Sequence, residues 1–216
     1  MGDDITQRER RHDGRRRRMW ATRVARIGRR TVPVAAVFAL VALLLAPPAS
    51  ADAPASAPHA AAFEMEFLEM MIDHHQMAVH MSEMCFDEAV HAELLDLCES
   101  IHATQSAEIE QMQDWLADWY GIQHEPMMDD PDHHQQMVVL AALSGEAFEI
   151  AFLDMMVEHH AMAVVDGVHC LLQSEHDELR ELCQSIVTSQ IHEIVQMQVW
   201  LCLWYGGCEF RNPLAA

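Results

Sequence analysis

The chain contains an internal repeat with an offset of 85 residues. The segment Met70–Val79 returns as Met155–Val164, and the correspondence runs without a gap from 63–121 to 148–206. About half of the aligned positions are identical, which indicates a duplicated unit. Both copies are therefore expected to adopt the same fold.

Apolar residues recur in each copy at intervals of three and four, the spacing of one face of a helix. We predict helices over 63–86, 92–120, 147–172 and 177–205, with Gly121 as a natural stop. Two such helices joined by a short turn form an αα-hairpin. The predicted fold is all-α, a four-helix bundle made of two duplicated αα-hairpins, because each apolar face must be buried.

The repeat also sets the domain boundaries. The first hairpin spans 63–121 and the second spans 147–206, and a tail follows over 207–216. The connection over 122–146 is polar and is predicted to contain a short helix at 137–143.

The region before the repeat has the features of a secretory signal. An Arg-rich stretch precedes an apolar run and Ala49-Ser50-Ala51, which predicts a signal peptide over 1–51, with an alternative start at Met19. Residues 52–62 are expected to form a flexible linker. We expect an exported protein, extracellular or in the cell envelope, that contacts membrane only through the signal segment if that segment is not cleaved.

The charge balance is strongly acidic. The formal net charge is −21, and residues 52–216 retain only Arg180 and Arg211 as basic residues. Such a surface excludes nucleic acid as a partner and attracts metal cations. Taken alone, the acidity is better explained by the solubility of a secreted protein.

Six cysteines lie in the repeat region and just after it, at Cys85, Cys98, Cys170, Cys183, Cys202 and Cys208. The first two flank the predicted turn of the first hairpin, and Cys170 and Cys183 repeat that placement. In an exported chain this pattern predicts disulfides, with Cys202 and Cys208 as a third pair. Thiolate metal binding is the alternative.

The candidate chemistry lies in His-His pairs flanked by methionines. Inward-facing Met, His and Glu positions at helical spacing recur in both copies and suggest two metal sites: Met71, His74, His75, Met81, Glu108 and Met112; and Met156, His159, His160, Glu193 and Met197. Thioether and imidazole together favour copper over Zn²⁺, Mg²⁺ or Ca²⁺, although other transition metals are compatible. A buried hydrogen-bond network with methionines as core residues is the alternative.

Two features leave the metal chemistry open. Met81 is replaced by Asp166 in the second copy, which predicts a harder second site or one weaker for Cu(I). The connection carries Met127, Met128, His133 and His134, which fit either a metal-capturing loop or a polar linker.

These motifs resemble the family catalogued as domain of unknown function 305. The resemblance rests on Met71-Ile72-Asp73-His74-His75 through Met81, on Gln105, Glu108, Met112, Trp115 and Leu116, and on the matching residues of the second copy except Asp166. It implies a ferritin-like helical bundle in an exported protein, and some members of the family are implicated in copper binding and copper tolerance. The tandem form with paired cysteines is similar to exported actinobacterial members.

The leading hypothesis is a copper-binding protein that sequesters or hands on the metal without catalytic turnover. A ferritin-like, metal-dependent redox enzyme is a second hypothesis. The Glu-x-x-His spacings at Glu88 and Glu99 are not retained in the second copy, which has Gln173 and Gln184. A structural or partner-binding bundle without specific metal is a third. The oligomeric state does not follow from the sequence.

Overall fold

A computed structural model describes residues 53–127 and 131–208, excluding the side chains of 131–133. The predicted signal peptide over 1–51, its alternative start at Met19, and the tail beyond 208 lie outside the described residues.

Five helices account for most of the described chain, and none of its residues forms a β-strand. In chain order they are α1 (Pro58–Glu88), α2 (Ala92–Tyr120), α3 (Pro131–Ala141), α4 (Gly145–Gln173) and α5 (Asp177–Tyr205). The prediction of an all-α fold is confirmed for these residues. Helix α1 begins five residues before the predicted boundary, within the segment predicted as a linker, with Pro58 in its first turn.

The second helix of each hairpin ends in the same way. Gly121 and Gly206 have left-handed φ values of 66° and 73°. Their backbone N–H groups donate to the carbonyl groups of Ala117 and Cys202 at 3.0 and 3.1 Å. Glycine reaches this conformation without a steric penalty, and so terminates both helices.

The two hairpins pack through their first helices. Helix α1 packs on α2, α4 packs on α5, and α1 also packs across α4, with α3 contacting both α1 and α4. The start of α1, at Glu64, is bonded to the residues that follow α4. The start of α4, at Glu149, is bonded to the residues that follow α1. Helices α1 and α4 are therefore antiparallel, and the repeats are related by a local pseudo-two-fold.

Two buried apolar clusters lie on either side of the His-His pairs. Core A includes Met81, Phe148, Phe152, Met156 and Met197, together with residues of α3. Core B includes residues from all four long helices: Phe67, Leu68, Met71, Met112, Leu116, Ala163 and Ile186. Because α1 and α4 each contribute to both cores, their histidines lie at the boundary between the cores.

The three predicted disulfides are present as Cys85–Cys98, Cys170–Cys183 and Cys202–Cys208. The first two connect the end of one helix to the start of the next across each turn. None of the six cysteines is left as a free thiol. Within the described ranges, no helix combines the length and the apolar character needed to span a membrane.

Candidate metal centre

Four buried histidines meet at the contact between α1 and α4. The rings of His74 and His159 stack with their centroids 3.6 Å apart and their planes inclined by 16°. His75 and His160 are fully buried beside them. Neighbouring rings on one helix diverge, with centroids 6.2 Å apart for His74 and His75, because adjacent helical residues point about 100° apart.

A His–Glu pair connects the two helices of each hairpin. His75 Nε2 lies 2.9 Å from Glu108 Oε2, and His160 Nε2 lies 2.6 Å from Glu193 Oε2. A carboxylate at one ring nitrogen fixes the orientation of an imidazole and leaves the other nitrogen for a second partner. The structure therefore brings together the predicted His and Glu within each repeat.

The second ring nitrogens of these pairs are buried. Within the described residues, His75 Nδ1 and His160 Nδ1 have no hydrogen-bond partner, and neither do Gln105 Oε1 and Gln190 Oε1. Buried polar atoms are almost always hydrogen-bonded, so this feature requires an explanation. It occurs in both copies of the repeat.

Two predicted methionines lie on one side of each His–Glu pair. Met71 lies one turn before His75 on α1, and Met112 lies one turn after Glu108 on the antiparallel α2, so both lie on the same side of the pair. Both are fully buried in core B. Met156 and Met197 have the same relation to His160 and Glu193, and both are fully buried in core A.

Met81 belongs to the opposite side of the centre from Met71. It lies in core A with Met156 and Met197, although the sequence grouped it with Met71 and Met112. Its counterpart Asp166 is half-buried on α4. Burial raises the pKa of the Asp166 carboxyl, and the charge of His169 opposes that shift.

In the part of the chain that the structure describes, no group of three or more His, Cys, Asp or Glu side chains is arranged to hold a metal ion. The buried methionines one turn from each His–Glu pair add thioether groups, which suit Cu(I).

The connection between the hairpins is fixed beside the central histidines. Asp73 Oδ1 lies 2.8 Å from His124 Nε2 and accepts the Met127 N–H at 2.7 Å. The Met127 side chain is exposed, as is that of His134. Met128 and the side chain of His133 lie outside the described residues.

A family model described as Domain of unknown function (DUF305) matches residues 64–201. The chain belongs to the DUF305 family. No curated protein sequence matches this DUF305 chain.

Several solved structures are similar to this DUF305 protein. The structure of CopM in the Cu(I)-bound form is 34% identical, with 66% of this chain and 98% of CopM covered and a TM-score of 0.60. CopM in the Cu(II)-bound form is 32% identical, with coverage of 66% and 97% and a TM-score of 0.60. A DUF305 protein from Streptomyces coelicolor classed as secreted is 27% identical, with coverage of 65% and 92% and a TM-score of 0.58.

The DUF305 chain also contains a pair of buried carboxylates that the sequence analysis did not identify. Glu64 accepts hydrogen bonds from the backbone N–H groups of Glu175 and His176 at 2.6 and 3.0 Å. Its other oxygen lies 2.6 Å from His176 Nδ1 and accepts the Tyr120 hydroxyl. The His176 ring also stacks on Trp119, with centroids 3.8 Å apart. We call this group of residues junction 1.

The second repeat forms the same group reciprocally. Glu149 accepts the N–H groups of Val90 and His91 at 2.6 and 2.8 Å, and it also bonds His91 Nδ1 and the Tyr205 hydroxyl. The His91 ring stacks on Trp204 with centroids 3.9 Å apart. We call this group junction 2. The sequence repeat could have pointed to these residues, since the Glu, His, Trp and Tyr of both junctions are identical at the offset of 85 residues.

The junction carboxylates are stabilised in their ionised form. Burial alone would raise the pKa of Glu64 and Glu149, but hydrogen bonds from tyrosine, histidine and backbone N–H groups hold both below the ordinary value. Burial and the adjacent carboxylate raise the pKa of Tyr120 and Tyr205. Because their oxygens are occupied by these donors, Glu64 and Glu149 serve as connections between repeats rather than as metal ligands.

Proposed function

We propose that this protein is an exported copper-binding protein that sequesters or hands on copper at two buried Met/His sites, within four long helices arranged as a ferritin-like bundle. The similarity to CopM in its Cu(I)-, Cu(II)- and Ag-bound forms supports copper as the cargo. The Streptomyces coelicolor relative and the three disulfides support export.

The buried Nδ1 atoms of His75 and His160 carry the proposal. A buried polar atom without a partner costs roughly 1–3 kcal/mol, and here that cost occurs twice at equivalent positions. A metal ion bound at each nitrogen would remove it. Glu108 and Glu193 would hold the imidazoles in place and compensate the charge of the ion.

The methionines define the two sites. The first site contains His75 with Met71 and Met112, beside His74 and Glu108. The second contains His160 with Met156, Met197 and Met81, beside His159 and Glu193. In this arrangement the first site lacks a third thioether, because the position related to Met81 by the pseudo-two-fold is Asp166. We therefore expect the second site to bind Cu(I) more tightly, which reverses the order expected from the sequence, because Met81 lies with Met156 and Met197.

The test is anaerobic titration of the purified protein with Cu(I) against a competing chelator in high salt, with Zn²⁺ as the control metal. High salt removes weak binding to the acidic surface. Binding of one or two Cu(I) ions that resists salt is the expected result. Binding that disappears with salt would refute the proposal and favour a bundle without specific metal.

Two sets of variants locate the sites. His75→Ala with His160→Ala should abolish tight binding. His102→Ala is the control and should leave binding unchanged, because the second repeat has Val187 at that position. Because removing His75 leaves Glu108 without its partner, Met71→Leu with Met156→Leu provides a second test that keeps side-chain volume. Unchanged stoichiometry and affinity in both sets would exclude these sites.

A further inference from the structure

The last helix carries an exposed apolar stripe that its counterpart lacks. Four side chains on α5 at intervals of four residues are exposed by 38% to 73%: Ile191, Val195, Val199 and Leu203. The positions at the same offset on α2 are polar or acidic: Ser106, Glu110, Asp114 and Asp118. Since the two helices derive from one duplicated unit, the stripe is specific to the second repeat.

The same helix face is depleted of charge. From Leu182 to Cys208 the only charged residue is Glu193, and its half-buried carboxylate is bonded to the buried His160. The stretch at the same offset in the first repeat, 97–123, carries five acidic residues: Glu99, Glu108, Glu110, Asp114 and Asp118. The stripe therefore lies on a stretch of α5 without an exposed charged side chain, in a chain whose net charge is −21.

We propose that this α5 stripe is the contact surface between two copies of the chain. Two strongly acidic copies repel each other where acidic surfaces meet, and the neutral α5 face removes that repulsion. A basic partner would instead be attracted to acidic faces such as that of α2. A second copy is thus the occupant that the charge distribution favours.

The spacing of the stripe fits pairing with itself. Residues at intervals of four form a ridge that can pack into the groove of a second helix, with the same patch used by both copies. Ile191 to Leu203 spans about 18 Å along the helix axis. That length forms only the centre of an interface of standard size, so we expect a weak dimer in reversible exchange with monomer.

Sedimentation velocity of the purified protein over a range of micromolar concentrations tests the proposal. We expect the mass to rise towards twice that of the monomer with concentration, and to rise further in high salt. Salt screens the repulsion between acidic copies, whereas it would weaken an association based on opposite charges. Monomer at every concentration and in both salt conditions would overturn the proposal.

Replacing residues of the α5 stripe by those at the same positions of α2 tests whether the stripe forms the contact surface. Val195→Glu with Val199→Asp introduces the residues found at Glu110 and Asp114 and should raise the dissociation constant by at least about tenfold, since like charges would face each other. Leu172→Asp is the control, because Leu172 is 78% exposed on α4 outside the stripe. A dimer unaffected by the double variant, or weakened equally by the control, would refute this surface.

Discussion

His176 Nδ1 lies 2.6 Å from Glu64 Oε2, so the turn of the second hairpin is bonded to the start of the first. The reciprocal bond connects His91 to Glu149 at 2.7 Å. These two bonds lie at opposite ends of the α1–α4 pair. The orientation of the hairpins is therefore fixed at two separate points, with the histidine centre between them.

Removing a junction carboxylate should destabilise the fold. Glu64→Ala leaves the Tyr120 hydroxyl, His176 Nδ1 and two backbone N–H groups without their acceptor, and we expect a loss of about 3 kcal/mol in the free energy of unfolding. Urea unfolding followed by circular dichroism measures it. Glu66→Ala, an exposed glutamate on the same helix, is the control and should change stability by less than about 0.5 kcal/mol. Equal losses in the two variants would contradict this role of junction 1.

Stability should decrease in acid because of the junctions. The pKa values of Glu64 and Glu149 are lower in the folded chain than their ordinary value of 4.5. Each ionised carboxylate therefore contributes stability that is complete above that value and is lost as the pH falls through it towards the folded pKa. Urea midpoints measured between neutral pH and acid should decline less steeply in the Glu64→Gln, Glu149→Gln variant than in the parent. An identical pH profile would refute the assignment.

The disulfides that bridge the turns should contribute more stability than the one at the C-terminal end of α5. Cys85–Cys98 closes a loop with a sequence separation of 13, compared with 6 for Cys202–Cys208. From loop entropy alone, paired Ser substitutions should cost about 3 kcal/mol and about 2 kcal/mol respectively. Chemical unfolding of both double variants under non-reducing conditions tests the order. A larger loss for the Cys202, Cys208 variant would contradict it.

Met81 should affect the metal site of the second repeat. Met81→Leu removes a thioether from core A with little change in volume, and we expect about a tenfold loss of Cu(I) affinity at one of the two sites. Combining it with Met156→Leu should affect the same site, whereas combining it with Met71→Leu should weaken both. Chelator competition with all three variants separates these outcomes. Weakening of both sites by Met81→Leu with Met156→Leu would indicate that Met81 belongs to the first site.

Local sequence rules were sufficient for most helix boundaries. Helices α2 and α5 cover 92–120 and 177–205 as predicted, because apolar periodicity and a following glycine define them. The start of α1 was missed because Ala, Pro and Ser resemble a linker in composition. Alanine also favours helix, and Pro58 is well suited to a first turn.

Contacts between the repeats required the structure. The pairing of His75 with Glu108 agrees with the two inward stripes of one hairpin, which the sequence predicts. The location of Met81 beside Met156 depends on how two hairpins are oriented, and no helical periodicity encodes that. The contact between Glu64 and His176 also depends on that orientation, since the two residues are 112 positions apart. Only the fold shows why both are identical to the residues at the same positions in the other repeat, Glu149 and His91.

The reciprocal junctions have a consequence for the origin of the chain. A single hairpin contains both the glutamate and the histidine, but they lie at opposite ends of its first helix, about 40 Å apart, and cannot meet. Two identical hairpins can satisfy each other. The ancestor implied by this geometry is a symmetric homodimer of one-hairpin subunits that gene fusion later joined into one polypeptide. Once fused, the two halves can differ in sequence, as they do at Met81 and Asp166.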